Sequence, residues 1–211
     1  MPLLTTGAGK FPAAGGGGGP AYTFRGTASD LTGTANPSYS IDIGTASADR
    51  LIIVGFICAG SAGAASVTVN GTGLTLAVSA APAAVAEVWY GLVTSGSGTQ
   101  TVQVNGASNF FERDIIVWAA TGLSSNVVKQ TASDNGTQNI NVSASDFLFA
   151  INYTTGTPSN FDYSSSTESP TGIHTTAQSF GGDWTVISTN AAFSVAPAPT
   201  TGQASAAATF R

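Results

Sequence analysis

The chain has 211 residues, of which 42% are hydrophobic and only 8% charged, with six Lys and Arg, eleven Asp and Glu, one His and a net charge of −5. The six cations (Lys10, Arg25, Arg50, Arg113, Lys129 and Arg211) are scattered along an acidic chain, which opposes nucleic-acid binding because phosphates require a basic footprint. One Cys and one His exclude a zinc set, and the ordinary apolar content excludes charge-driven disorder.

Residues 1–20 form a separate segment that ends in Gly15-Gly16-Gly17-Gly18-Gly19-Pro20. Glycine runs are flexible coils that cannot bury enough surface to fold alone. The segment reads either as a plain tail or as an arm that orders against a partner, with Leu3, Leu4 and Phe11 as its anchors. It shows no basic stretch followed by an apolar one, so no secretory signal is expected.

From Ala21 onward the period is two, and residues 21–211 read as one domain. Strands are expected at Tyr22–Arg25 and Tyr39–Ile43. The run Leu51-Ile52-Ile53-Val54-Gly55-Phe56-Ile57 is apolar on both faces and reads as a central covered strand, with Cys58 behind it as a buried small hydrophobe. The apolar stretch around it is interrupted by glycine and too short for a membrane helix of ~20 residues, so no membrane insertion is expected. Val67–Val69 and Leu74–Leu76 flank Asn70-Gly71-Thr72-Gly73, a hairpin signal. Further strands are expected at Val85–Val93, Thr99–Val104, Phe110–Ala119, Val127–Thr131, Asn139–Val142, Asp146–Tyr153, Trp184–Ser188, Ala192–Val195 and Ala204–Phe210. Val-Asn-Gly occurs at 69–71 and again at 104–106, which reads as turn chemistry rather than a repeat. Ala80–Ala86 is too short, and too interrupted by Pro82, to be a helix. A dozen short strands between Gly, Asn, Ser and Pro turns predict an all-β chain: a single antiparallel β-sandwich of jelly-roll or immunoglobulin-like type behind a Gly-rich arm.

Catalytic chemistry is thin. There is no G-x-S-x-G elbow, and His174 is the only imidazole available as a base. Glu87, Glu112 and Asp114 lie on expected strands and could form a glycosidase pair, but read first as solvated strand ends. Asp134 lacks the acidic company a calcium loop needs, and the glycine run is not followed by the Gly-Lys-Ser/Thr of a phosphate loop. The expectation is a non-enzyme with no cofactor and no metal. Among the aromatics, Trp118 reads as core. Trp184 follows Gly181-Gly182 and, with Phe180, offers either a sugar-stacking face or a further piece of core.

A surface made of Ser, Thr, Asn and Gln instead of Lys and Glu loses little side-chain entropy when covered, and interface cores are poor in the same charged residues. Asp49-Arg50-Leu51-Ile52-Ile53-Val54-Gly55, Ala65-Ser66-Val67-Thr68-Val69-Asn70-Gly71 and Glu87-Val88-Trp89-Tyr90 together resemble β-sandwich virion proteins of tailed bacteriophages. Met1-Pro2-Leu3-Leu4-Thr5-Thr6-Gly7-Ala8-Gly9 before a Gly run is similar to the anchoring arms of such proteins. The resemblance spans the first half of the chain. It implies a capsid decoration, fibre or tail component made in the host cytoplasm and residing in the virion. Such a protein is present in many copies, contacts itself and other virion proteins, and has no catalysis. The alternative is a carbohydrate-binding module or adhesin for a host-surface glycan. A glycan-degrading enzyme using Glu87 or Glu112 is a third reading.

Overall fold

A computed structural model describes residues 20–33, 36–60, 62–81, 84–106, 112–134, 138–154, 160–162, 172–175, 179–187, 189–198 and 202–211. The anchors expected at Leu3, Leu4 and Phe11 lie outside these residues. The described chain forms strands and no helix. In chain order the strands are β1 (Ala21–Asp30), β2 (Ser38–Asp42), β3 (Leu51–Cys58), β4 (Ser66–Val69), β5 (Thr72–Gly73), β6 (Thr75–Ala80), β7 (Val85–Leu92), β8 (Thr99–Asn105) and β9 (Arg113–Thr121). They continue with β10 (Gln130–Asp134), β11 (Gln138–Val142), β12 (Phe147–Thr154), β13 (Asn160–Asp162), β14 (Gly172–Thr175), β15 (Ser179–Thr185), β16 (Asn190–Ala198) and β17 (Gly202–Phe210).

These strands build four antiparallel sheets. Sheet A has the order β1-β9-β3-β7-β6 and sheet B the order β2-β8-β4-β5. Sheet C is β10-β17-β12-β15-β14 and sheet D is β11-β16-β13. Along the first half the chain alternates between sheets, with β1, β3, β7 and β9 in A and β2, β4 and β8 in B. That winding is the jelly-roll alternative, because an immunoglobulin-like sandwich keeps its first two strands together in one sheet and its last two together in the other.

Three buried clusters show how the sheets stack. One lies between A and B and joins Ile52, Val54, Phe56, Ile115, Val117 and Trp89 to Tyr39, Val67, Val69, Val102 and Val104. The second lies between A and C and joins Leu51, Ile53, Ile116 and Trp118 to Phe147, Phe149, Ile151, Ala206 and Phe210. The third lies between C and D and joins Leu148, Ala150, Trp184 and Ala207 to Ile140, Val142, Phe193 and Val195. The layer order is therefore B, A, C, D.

The sequence predicted an antiparallel β-sandwich, and the structure bears this out with four stacked sheets. Period two shows whether a strand face is apolar but not what covers it. All eight residues of β3 are buried, because alternate side chains point into different clusters. The expected alternation at Phe147, Phe149, Ile151 and Tyr153 holds, but Leu148 and Ala150 on the opposite face of β12 are also buried.

Several boundaries differ from expectation, among them the end of β1, which runs to Asp30 rather than Arg25. Strand β10 begins at Gln130 rather than Val127, and the Gly-rich segment before Trp184 is part of β15 rather than a loop. Gly181 lies in β15 because sheet A is very close there: a Cβ at this position would stand 2.8 Å from Ile116 Cδ1 and 3.0 Å from Trp118. Asn70 and Gly71 both have positive φ, 49° and 77°, so Val69-Asn70-Gly71 is a turn as expected.

Candidate functional site

Trp184 is 1% exposed and packs edge-to-face on Phe193 with ring centroids 6.3 Å apart. Its ring therefore belongs to the core between sheets C and D and presents no face to a sugar. The backbone of Phe180 lies in β15 and that of His174 in β14, while both side chains fall outside the described part.

The titratable residues that sequence reasoning assigned to solvated strand ends are buried instead, with Glu87 3%, Glu112 8% and Asp114 0% exposed. Sheet A is covered on both faces, so the charged ends of β7 and β9 are covered with it. The ladder sets them side by side: Arg113 lies across from both Asp30 and Cys58, Asp114 across from Ile57, and Glu87 across from Phe56. Alternation along β9 turns Arg113 toward sheet B and Asp114 toward sheet C.

Arg113 is fully buried, and its Nη2 stands 3.5 Å from Asp30 Oδ2. Its Nε and Nη1 have no hydrogen-bond partner among the described residues. The Tyr39 hydroxyl donates to the Arg113 carbonyl at 3.2 Å, and burial followed by the Asp30 charge raises the pKa of that phenol. The Glu87 carboxylate accepts from Trp89 Nε1 at 2.9 Å, from the Ala64 amide at 3.1 Å and from Ser79 Oγ at 3.2 Å. Gly63 lies so close to this carboxylate that a Cβ would overlap it. Burial pushes the Glu87 and Glu112 carboxyls above the usual carboxylate range, with Asp114 adding to the effect on Glu112. Burial likewise pushes the Cys58 thiol up to about 11.

A shallow pocket of about 350 Å³ opens at this end, lined by Asp30, Thr32, Asn36, Ser38 and Tyr39 among others. Among the described residues Asp30 is the one carboxylate that lines it; Glu87, Glu112 and Asp114 are not part of the lining. A general acid and base must both touch the substrate, and this arrangement brings no such pair to solvent. Among the described residues no three His, Cys, Asp or Glu side chains are placed to hold a metal ion. No helix there is long and apolar enough to cross a membrane.

The second buried cation, Arg50, is 1% exposed and serves as a latch. It donates to the carbonyls of Val93, Gly44, Ser95 and Gly96 at 2.7–3.0 Å and so fixes the 93–98 loop. Asp183 is a tie between layers: from β15 it accepts Tyr22 Oη at 2.9 Å and Trp118 Nε1 at 2.8 Å, both from sheet A.

Among the described residues the charges left at the surface are Arg25, Asp30, Asp42, Asp49, Lys129, Asp134 and Arg211. The outer face of sheet B is a ladder in which Ser38 sits opposite Gln103, Ser40 opposite Thr101, Asp42 opposite Thr99, Gln103 opposite Thr68 and Asn105 opposite Ser66. Asp42 is the one carboxylate in that ladder. No known protein family, curated protein or solved structure matches this chain.

Proposed function

We propose that the chain is a non-enzymatic structural component of a bacteriophage particle, present in many copies and joined to capsid or tail through its N-terminal arm. The observation that carries this reading is the placement of charge. At least seven of the seventeen charged residues (Arg50, Glu87, Glu112, Arg113, Asp114, Asp146 and Asp183) are buried, so a charge-poor chain has a still poorer exterior. Charged residues are ordinarily kept outside, where they maintain solubility by repulsion. A surface of hydroxyls and carboxamides without that repulsion is suited to being covered by neighbours, at small cost in side-chain entropy. The test is to supply the protein lacking residues 1–19 to assembling particles. The reading expects a folded domain that is missing from the particles, and normal incorporation overturns it.

A host-surface glycan is the second reading, favoured by the pocket beside Asp30, whose lining hydroxyls and carboxamide suit a sugar. Glycan affinity that disappears in the Thr32→Ala, Ser38→Ala double variant supports it. Affinity that is absent or unchanged removes it.

A further inference from the structure

We infer that the chain is a duplicated jelly roll: one sandwich fused to a second copy of itself, with a former dimer interface now buried inside a single chain. The strand orders carry the argument. Replacing β1, β9, β3, β7 and β6 by β10, β17, β12, β15 and β14 turns the order of sheet A into that of sheet C. The same chain-order correspondence replaces β2, β8 and β4 by β11, β16 and β13, and turns sheet B into sheet D. Eight strands match eight strands in sequence order without exception; the two-residue β5 alone has no counterpart among the described residues.

Facing and sequence agree with the topology. Ile52 and Val54 of β3 point into the core of the first sandwich, as Leu148 and Ala150 of β12 point into that of the second. Trp89 on β7 and Trp184 on β15 each fill their own sandwich's core. Thr27-Ala28-Ser29-Asp30 closes β1, and the same four residues, Thr131-Ala132-Ser133-Asp134, close the matching strand β10. Ala28 packs on the first core and Ala132 on the third. Asp30 lies across from Arg113, the partner of the eighth residue of β3, and Asp134 across from Ser205, the partner of the sixth of β12. The copies have thus slipped by two residues, an even shift that keeps every side chain on its face.

The sheets that meet at the centre, A and C, are equivalent members of the two copies. Equivalent faces in contact are the geometry of a twofold dimer, so the partner that each face fits is another copy of the same jelly roll. Divergence has made this pairing specific. Gly55 of the first copy admits Ile151 of the second, with the missing Cβ 2.5 Å from Ile151 Cγ2, and Gly181 of the second admits Ile116 and Trp118 of the first. Asp183 accepts Trp118 across the same interface. A pairing of two first copies would lack Asp183 and Gly181 and leave the indole N–H without this acceptor.

The test uses the full-length protein with a protease site inserted after Asn126, in the connection between β9 and β10. After cleavage the two fragments should elute together, in equal amounts, at the position of the uncut chain. Asp183→Ala should weaken their association by about tenfold or more, the loss expected for a buried charged hydrogen bond. Fragments that separate as folded monomers, or that prefer their own kind, overturn the interface. The duplication itself is read from paired cysteines in the intact chain, Ser40→Cys with Thr101→Cys in the first copy and Asn139→Cys with Ser194→Cys in the second. These are matched neighbours on β2/β8 and β11/β16, so both pairs should cross-link under mild oxidation. Cross-linking of the first pair alone overturns the equivalence.

Discussion

Asp183 offers the sharpest test of the four-layer stacking, because its carboxylate belongs to sheet C and accepts hydrogen bonds from Tyr22 and Trp118 of sheet A. Asp183→Ala removes the acceptor of the Trp118 indole, which is fully buried and has no route to water. Orphaning such a donor costs ~1–3 kcal/mol, and a bond to a charged group is worth ~1.5–3 kcal/mol. Tyr22 is only partly buried and can turn to solvent, so its share is small. Losing the desolvation cost of the carboxylate offsets part of the total. The net expectation is about 3 kcal/mol of destabilisation, or about 6–12 °C in Tm for a chain of this size. Asp183→Asn keeps one oxygen for Trp118 and presents an amide to the Tyr22 hydroxyl, which can accept, so its cost should be about 1 kcal/mol. Chemical denaturation measures both, and a double-mutant cycle with Trp118→Phe should return a coupling of about 1.5–3 kcal/mol. A cost below about 1 kcal/mol for the alanine variant, or strict additivity in the cycle, refutes the tie between the sandwiches.

Three further outcomes follow from the burial of groups that a surface reading would expose. Trp184→Ala should cost about 3–5 kcal/mol by denaturation, because it empties part of the core between sheets C and D; a change within experimental error would return the ring to the surface. Cys58, buried and with its thiol pushed up to about 11, should resist a thiol reagent at pH 8 and titrate as one thiol only in denaturant; rapid labelling of the native protein contradicts this placement. Glu112 has a folded-state pKa above its unfolded value because burial and Asp114 disfavour its charge. Its contribution is therefore fully present below the ordinary Glu range near 4.3 and is lost as pH rises through the folded value. Glu112→Gln should stabilise the protein at pH 7 and bring little change at pH 4, and an equal effect at both pH values overturns the assignment.

Much of the strand pattern is legible in the sequence because backbone pairing needs only local signals. Asn70-Gly71 names its turn, and Leu51–Ile57 announces a strand covered on both faces. The number of layers is not local information. Phe147, Phe149, Ile151 and Tyr153 mark one apolar face of a strand, yet Leu148 and Ala150 on the other face are as buried as Phe149. The duplication was hidden for a related reason. The visible repeat, Val-Asn-Gly, falls twice within the first copy, whereas the tetrapeptide common to both copies, Thr-Ala-Ser-Asp, lies at the ends of two edge strands. Core positions are chemically interchangeable among apolar residues, so matched strands such as β9 and β17 retain the fold while Trp118 is matched by Ala208 opposite Ile53 and Phe149. The buried carboxylates were misassigned because charged residues usually sit outside, and only the covering of sheet A by two neighbours reverses that rule for Glu87 and Asp114.

The central claim, that a charge-poor exterior marks a multi-copy particle component, is tested most directly by the protein composition of purified virions from cells that produce this chain. Quantitative mass spectrometry should find the full-length protein at many copies per particle, retained through density-gradient purification. Its absence from purified particles, with the chain recovered only as free protein, contradicts the account.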